Sequence, residues 1–179
     1  MSKDLDIERS FSLIRDIPNY PKEGILFKDI TPLLADSQSF NVVLDALSAH
    51  TEGVDFIAGI EARGFIIASA LAQKTGKGFI PIRKKGKLPS KVYSRSYGLE
   101  YGEDVLEIHQ DAFPSGSKVL LVDDVLATGG TIRASLELLE EAGGSVPAVL
   151  VLIEIEGLDG RQNIETGNSS VAIHSLMLS

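Results

Sequence analysis

Short, almost unbroken apolar runs recur along the chain, and several are followed by segments with helical spacing. Asp55–Ile60, Gly78–Ile82, Lys118–Asp123 and Ala148–Ile155 are too short and too continuous for amphipathic helices; they read as strands buried on both faces. Gly64–Lys74 reads as the helix after the first run. A second helix opens near Gly130 to Arg133 and carries Ile132, Leu136 and Leu139 on one face. Val105–His109 alternates and reads as a short strand, with Glu107 and His109 on its exposed side. Residues 39–50 read as a helix, as do residues 5–16, where Leu5, Phe11 and Ile14 supply the apolar contacts. Residues 17–33 are punctuated by Pro18, Pro21, Gly24 and Pro32 and are expected to be irregular. Residues 84–102, rich in Lys, Ser, Gly and Tyr, read as a long mobile loop, and loops of that length inside a compact domain are usually functional. Strands alternating with helices predict an α/β fold: a parallel sheet flanked by helices, with ligands at the carboxyl ends of its strands. The sequence shows no internal repeat and no low-complexity linker, and the 179 residues are expected to form a single domain.

The densest chemical signal is Val119-Leu-Leu-Val-Asp-Asp-Val-Leu-Ala-Thr-Gly-Gly-Thr131. Here a buried strand ends in two carboxylates, Asp123 and Asp124, followed by a loop of small residues and a helix start. Carboxylates at a strand end can accept hydrogen bonds from sugar hydroxyls or hold a hydrated cation. The loop Ala127-Thr128-Gly129-Gly130-Thr131 can close around an anion, because glycines let backbone N–H groups approach it and the helix start adds unpaired donors. Acids that bind hydroxyls beside an anion cradle predict a sugar phosphate as ligand. The chain lacks a Walker A sequence and a Gly-x-Gly-x-x-Gly.

Asp123 to Thr131 resembles the phosphoribosyl-pyrophosphate motif of type I phosphoribosyltransferases. In that family the paired acids hold the ribose hydroxyls, directly or through magnesium, and the loop cradles the 5-phosphate. The resemblance implies a twisted parallel sheet of the type I phosphoribosyltransferase fold, with an N-terminal hood over about residues 1–33 and a lid over about 84–102. Three further segments narrow the family. Glu61-Ala-Arg-Gly-Phe65 follows a strand as the first motif does. Arg63 at such a turn can hold a diphosphate by two parallel hydrogen bonds, or can pair with Glu61 or another nearby acid. The segment is similar to the pyrophosphate loop of adenine phosphoribosyltransferases. Leu99-Glu-Tyr-Gly102, followed by Leu106-Glu-Ile-His109, resembles that family's lid and the strand after it. The likeness implies Glu100 as general acid/base on the purine and Tyr101 as a ring packed over the closed site. Pro21 to Ile30 resembles the hood, which implies Ile25, Leu26, Phe27 and Lys28 as base contacts, with Phe27 stacking. Many relatives carry Arg where this chain has Lys28. Ile155 is expected to face the base from the other side. In Arg83-Lys-Lys-Gly-Lys87, four positive charges fall in five residues; the resemblance implies Arg83 and Lys87 as diphosphate contacts reaching toward a neighbouring subunit.

These segments span residues from about 17 to about 161. They imply that adenine and 5-phosphoribosyl 1-pyrophosphate are converted to AMP and pyrophosphate, with Mg2+ held by the substrate and, through water, by Asp123 and Asp124. The alternatives are a phosphoribosyltransferase for xanthine, hypoxanthine or orotate, or a regulator that senses phosphoribosyl pyrophosphate and binds nucleic acid. Composition bears on the last. Seventeen basic and 25 acidic residues give a net charge of −8, which disfavours nucleic-acid binding, and 16 residues before Ile17 are few for a DNA-binding domain. The chain has no cysteine, so thiolate chemistry and disulfides are excluded. Met1-Ser-Lys-Asp-Leu-Asp-Ile-Glu8 lacks the apolar core of a signal peptide, and no apolar run reaches the length of a membrane span. A cytoplasmic homodimer is expected. His50, His109 and His174 are scattered and are assigned no chemistry.

Overall fold

The computed structural model describes residues 3–98, 104–165 and 171–179. It falls into two compact units, Met1–Leu47 and Ser48–Ser179.

In the first unit, α1 (Lys3–Phe11) stops well before residue 16, because Arg15–Pro18 is drawn into a strand, β1, paired antiparallel with β2 (Leu26–Asp29). The stretch expected to be irregular is therefore a hairpin, with Ile17 opposite Phe27. Its prolines sit where they remove no ladder hydrogen bond: Pro18 closes β1, and Pro21 lies in the connecting turn. The turn is tied internally. Gly24 N–H, at φ +84°, donates to Asn19 Oδ1 at 2.9 Å, and Tyr20 N–H donates to the Ile25 carbonyl at 3.2 Å. Two short helices follow, α2 (Thr31–Ala35) and α3 (Ser37–Ser48). Pro32 stands in the first turn of α2, where a missing N–H is harmless. Asp36 Oδ1 accepts the Ser39 N–H at 2.7 Å and so caps α3.

The second unit is built on a seven-stranded sheet: β3 (Phe56–Ile60), β4 (Gly78–Lys84), β5 (Val92–Tyr97), β6 (Asp104–His109), β7 (Val119–Leu126), β8 (Ala148–Glu154) and β9 (Ala172–Leu178), in the spatial order β5-β6-β4-β3-β7-β8-β9. The five strands from β4 to β9 run parallel, as expected for buried apolar runs, whereas β5 and β6 pair antiparallel. The sheet is thus mixed rather than wholly parallel. The reason lies in residues 84–102, which are not all loop. Val92–Tyr97 alternates, with Tyr93, Arg95 and Tyr97 less exposed than Ser94 and Ser96, and pairs along its whole length with β6. Arg95 reaches two acids of α5 (Gly130–Glu141), Glu137 at 3.4 Å and Glu141 at 2.9 Å. Glu107, expected on an exposed face, is buried; its carboxylate accepts the Gly86 N–H at 2.9 Å. His109 keeps a half-exposed ring, but its Nε2 is buried.

Helices cover both faces. In α4 (Arg63–Thr75) the buried residues Gly64, Ile67, Ala68, Leu71 and Ala72 recur at helical spacing, and the helix ends on Gly76 at φ +68°. A Cβ placed on Gly59 of β3 would lie 2.6 Å from the Ala68 Cβ, so glycine lets α4 press against the sheet. The neighbouring Ala58 and Ile60 point the other way, into a core shared with Ile132, Leu136 and Leu139 of α5. Val119 and Leu121 lie with that second core, and each buried aliphatic side chain there contributes about 1.5–3 kcal/mol. Among the described residues, no helix is long and apolar enough to cross a membrane.

The hairpin of the first unit carries a titration signature. Asp29 accepts both the hydroxyl (2.6 Å) and the N–H (3.0 Å) of Thr31, and it pairs with Arg15. These bonds, Thr31 first, lower its pKa to about 2. Its stabilising effect is therefore complete above the ordinary aspartate range and is lost as pH falls toward 2. Carbon-detected NMR titration should give a midpoint near 2 for Asp29 in the native chain. In Thr31→Val, which removes the hydroxyl but keeps the N–H, the midpoint should move part of the way up toward 3.8; an unchanged midpoint would assign the shift to the Thr31 N–H and Arg15 instead.

Candidate active site

The carboxyl end of β7 is where the sheet exposes its chemistry. β3 pairs with β7 only from Val119 to Val122, while β8 follows it to Leu126. Asp123 and Asp124 thus lie within β7, on the part that has outrun β3, rather than just beyond a strand end. Asp123 is 9% exposed and Asp124 4%. Asp124 N–H donates to Asp123 Oδ1 at 2.9 Å, and Arg63 at the start of α4 pairs with Asp124 Oδ2 at 2.7 Å. That oxygen receives no well-aligned hydrogen bond. Burial raises the Asp123 pKa, helped by the Asp124 charge and opposed by the Asp124 N–H and Arg63. Burial also raises Asp124, with Arg63 the main opposing influence. Gly64 makes the approach possible: a Cβ there would stand 2.6 Å from Asp123 Oδ1.

Residues 127–131 form the loop from β7 into α5. A cavity of about 130 Å3 is lined by Asp123, Val125 and Ala127 through Ile132, so Ala127, Thr128, Gly129, Gly130 and Thr131 all border the same concavity as the acid. Gly129 adopts φ +84°, a left-handed conformation that favours glycine, and α5 begins at Gly130. Main-chain donors of a helix start and the Asp123 carboxylate therefore flank one space.

The Glu61–Arg63 segment connects β3 to α4, and the Glu61–Ala62 peptide is cis. Arg63 pairs with Asp124 rather than with Glu61. Glu61 is engaged by Arg83, at 3.2 Å from Nε and 3.3 Å from Nη2, and by the Lys84 N–H at 3.0 Å. Burial would raise the Glu61 pKa, but the Arg83 and Lys84 hydrogen bonds and the charges of Arg83 and Lys87 outweigh it, and the net shift is downward. Arg83 Nη1 also donates to the Lys87 carbonyl at 3.1 Å, and its guanidinium lies 6.0 Å from the Phe65 ring centre. Arg83 thus joins the 61–64 loop to the basic turn.

Ile155 follows β8 directly, its N–H donating to the Leu126 carbonyl at 2.8 Å, so it stands at the same sheet end as the acid pair. In the first unit, Phe27 packs edge-on against Tyr20 with ring centres 5.0 Å apart, Ile25 and Leu26 are exposed, and Lys28 pairs with Asp16 at 2.8 Å. Glu100 and Tyr101 lie outside the described residues.

Three contributors escape sequence reasoning. Tyr97, at the end of β5, donates to Asp104 at 3.3 Å. Burial and then the Asp104 charge raise its pKa, against a hydrogen bond with Thr131. The alternation Tyr93, Arg95, Tyr97 was the signal for its strand. Gly160 and Asn163, at the start of α6 (Gly160–Glu165), meet the 127–131 loop from below: Asn163 Nδ2 donates to the Thr128 carbonyl at 3.0 Å. Nothing local marked them.

A buried acid pair with an unaligned oxygen suits a hydrated divalent cation. Among the described residues, no group of three or more metal-ligating side chains exists, so the acids alone would not enclose one.

Comparison with known proteins settles the family. Residues 35–171 match the phosphoribosyl transferase domain. The chain is 49% identical over 172 residues to an adenine phosphoribosyltransferase of Salinispora arenicola, covering 95% of this chain and 89% of that one. This chain belongs to the adenine phosphoribosyltransferase family. The crystal structure of the Thermoanaerobacter pseudethanolicus adenine phosphoribosyltransferase superposes with a TM-score of 0.91 at 47% identity, covering 97% and 99% of the two chains. That of the Saccharomyces cerevisiae enzyme, solved with adenine and an imino-altritol bisphosphate, superposes at 0.90 and 35% identity, covering 97% and 99%. A mixed, mostly parallel sheet flanked by helices is the adenine phosphoribosyltransferase form of the type I fold. These relatives give no support to the xanthine, hypoxanthine, orotate or regulator readings.

Burial of the acid pair has a consequence for stability. Where a folded carboxyl titrates above its unfolded value, the folded state binds more protons between the two values, so stability falls as pH rises through that window. Burying Asp123 therefore weakens the fold at pH above the ordinary carboxylate range. Asp123→Asn should raise the melting temperature at pH 7 by about 2–4 °C. The gain should vanish near pH 3, where both states are protonated, and turnover should fall by roughly 10²-fold or more. A lowered melting temperature at pH 7 would show that the contacts of the native carboxyl outweigh its burial.

Proposed function

We infer that this chain transfers the phosphoribosyl group of 5-phosphoribosyl 1-pyrophosphate to adenine, yielding AMP and pyrophosphate. One observation carries the reading: Asp123 of a buried acid pair and a glycine-built loop border one cavity at the end of the central strand, in a chain that matches adenine phosphoribosyltransferases along nearly its whole length. Ribose hydroxyls donate to Asp123 and Asp124, and the 5-phosphate accepts from the N–H groups of Ala127–Thr131. The two sites are adjacent because the loop follows the acids by two residues. Arg63, Arg83 and Lys87 take the diphosphate by family resemblance, and Arg83 also ties their loops together through Glu61 and the Lys87 carbonyl.

In the transfer, the bond from the ribosyl C1 to pyrophosphate oxygen breaks and its electron pair leaves with pyrophosphate. C1 passes through an oxocarbenium-like state as a purine ring nitrogen supplies the new bond, and the proton that nitrogen carried is released. By family resemblance, Glu100 takes that proton and Tyr101 packs over the closed site. Positioning and stabilisation of the leaving charge account for most of the rate. Asp123 and Asp124 fit a magnesium ion held through water; when bound, it would neutralise diphosphate charge as a Lewis acid and template. Base recognition falls to Ile25, Leu26, Phe27, Lys28 and Ile155 by the same resemblance, with Phe27 stacking and backbone groups reading the purine edge. The working form we propose is a cytoplasmic homodimer, supported by the resemblance and the basic run at 83–87. Light scattering at micromolar concentration should give twice the chain mass; a fully active monomer would overturn it.

Base choice tests the substrate. Adenine's exocyclic amine donates, whereas the 6-oxo group of hypoxanthine accepts. A backbone carbonyl from Ile25 to Lys28 suits the first and leaves two acceptors facing each other with the second. One such mismatch costs about 1–3 kcal/mol, or roughly ten- to a hundredfold. kcat/KM for adenine should exceed that for hypoxanthine by at least this factor. Phe27→Ala should lower both values and leave their ratio nearly constant, since stacking serves either purine. Equal values in the native protein would defeat the adenine assignment.

A further inference from the structure

The 127–131 loop does not hold its own shape. Gly129 and Gly160 face each other so closely that a Cβ on Gly129 would lie 2.5 Å from the Gly160 carbonyl, and one on Gly160 would run into the Ala127 carbonyl. Asn163 Nδ2 donates to the Thr128 carbonyl at 3.0 Å. The segment making these contacts is itself anchored. Arg161 forks onto Glu154, with Nε at 3.0 Å and Nη2 at 2.6 Å from its two oxygens, and Nη1 donates to the Ile173 carbonyl at 2.8 Å. Ser175 Oγ adds a bond to Glu154 at 2.8 Å. The Arg161 and Ser175 hydrogen bonds keep the Glu154 carboxyl below its ordinary range, so it stays ionised and paired at neutral pH.

We propose that Gly160–Asn163 is a mount for the phosphate loop, and that Asn163 is a positioning residue for the 5-phosphate. In a trans peptide the C=O and N–H point in opposite directions. Drawing the Thr128 carbonyl toward Asn163 turns the Gly129 N–H away from α6. That aims a main-chain donor at an anion seated in the loop, without any side chain of the mount touching the anion. The two facing glycines let α6 come close enough for the Asn163 amide to reach. The Glu154–Arg161 fork ties this mount to the end of β8, one residue before Ile155, so the floor of the phosphate loop and the Ile155 turn share a support.

The inference rests on the 127–131 loop being the 5-phosphate site, and the experiment separates the two. Amide NMR of the native protein with ribose 5-phosphate tests the loop: the Gly129 resonance should shift on saturation. Calorimetric titrations then compare ribose 5-phosphate with magnesium pyrophosphate. Asn163→Ala should weaken ribose 5-phosphate about fivefold to tenfold, as the loss of one aligning hydrogen bond would, and leave pyrophosphate affinity within twofold. KM for phosphoribosyl pyrophosphate should rise by a similar factor with kcat nearly unchanged. Asn163→Asp, of equal size but with a carboxylate facing a carbonyl, should weaken it further. Asn163→Gln, which keeps an amide donor, should restore part of the loss. Asn163 is exposed, so these variants should melt close to the native protein. If the Gly129 amide is silent, the phosphate-loop reading fails and the mount with it. A shifted Gly129 amide with native ribose 5-phosphate affinity in Asn163→Ala overturns the mount alone. Equal weakening of both ligands would make Asn163 a general structural residue and likewise overturn it.

Discussion

Two carboxylates buried side by side on the central strand govern this structure. Taking an ionised carboxylate out of water is costly unless charge and hydrogen bonds replace the lost solvent. Here the replacement comes from the Asp124 N–H on Asp123, from main-chain N–H groups of Asp124 and Val125, and from the Arg63 guanidinium on Asp124, and burial still outweighs it. Much else in the second unit follows from the need to bring that guanidinium in. Arg63 opens α4, and α4 can approach only because Gly59 and Gly64 lack side chains where Ala68 and Asp123 would collide with them. β7 must also outrun β3, or the acids would be enclosed between neighbours and unreachable by a ligand. The remaining desolvation is stored in the resting protein, and in the proposed reading ribose hydroxyls relieve it on binding.

Charge is divided sharply within a small space. In the proposed reading the acids take hydroxyls and the glycine loop just after them takes a phosphate, and that loop contains no cation of its own. An anion there depends on main-chain donors and a helix start, whose partial charges do not neutralise Asp123. The full positive charges, Arg63, Arg83 and Lys87, belong to two other connections, 61–64 and 83–87. Had a lysine stood in the 127–131 loop, it would pair with Asp123 or Asp124 and remove the acceptors. The glycine loop thus keeps the two chemistries from cancelling, and the chain's net −8 is no obstacle to binding a highly anionic substrate.

The fold was legible where burial sets the pattern. Continuous apolar runs marked β3, β4, β7 and β8, because strands covered on both faces have no polar side to display. The same rule failed at β5: its outer positions are Ser94 and Ser96 and its inner ones Tyr93, Arg95 and Tyr97, so composition resembled a loop although the period was 2. The proline-rich hairpin was missed because its prolines lie at an end and in a turn, which composition does not distinguish from an interior. At the site, contiguous motifs were visible and their partners were not. Glu61 and Arg63 are two residues apart, yet Glu61 pairs with Arg83 and Arg63 with Asp124. Sequence proximity suggested a pairing that the geometry of a strand-to-helix turn does not make.

The proposed mount under the 127–131 loop shows why such partners escape a reading of motifs. A loop of Ala, Thr and Gly has many accessible conformations, and glycine's freedom makes the bound one no more populated than others. The residues that select one conformation must come from elsewhere in the chain, and they need only a donor at the right distance and an absent Cβ. Asn163 and Gly160 meet that need, 35 residues beyond Thr128 in the case of Asn163. Neither bears a chemical group that announces a ligand. The motif specifies which atoms can bind, while the geometry in which they bind is written into a segment whose only local signature is a glycine opening a short helix.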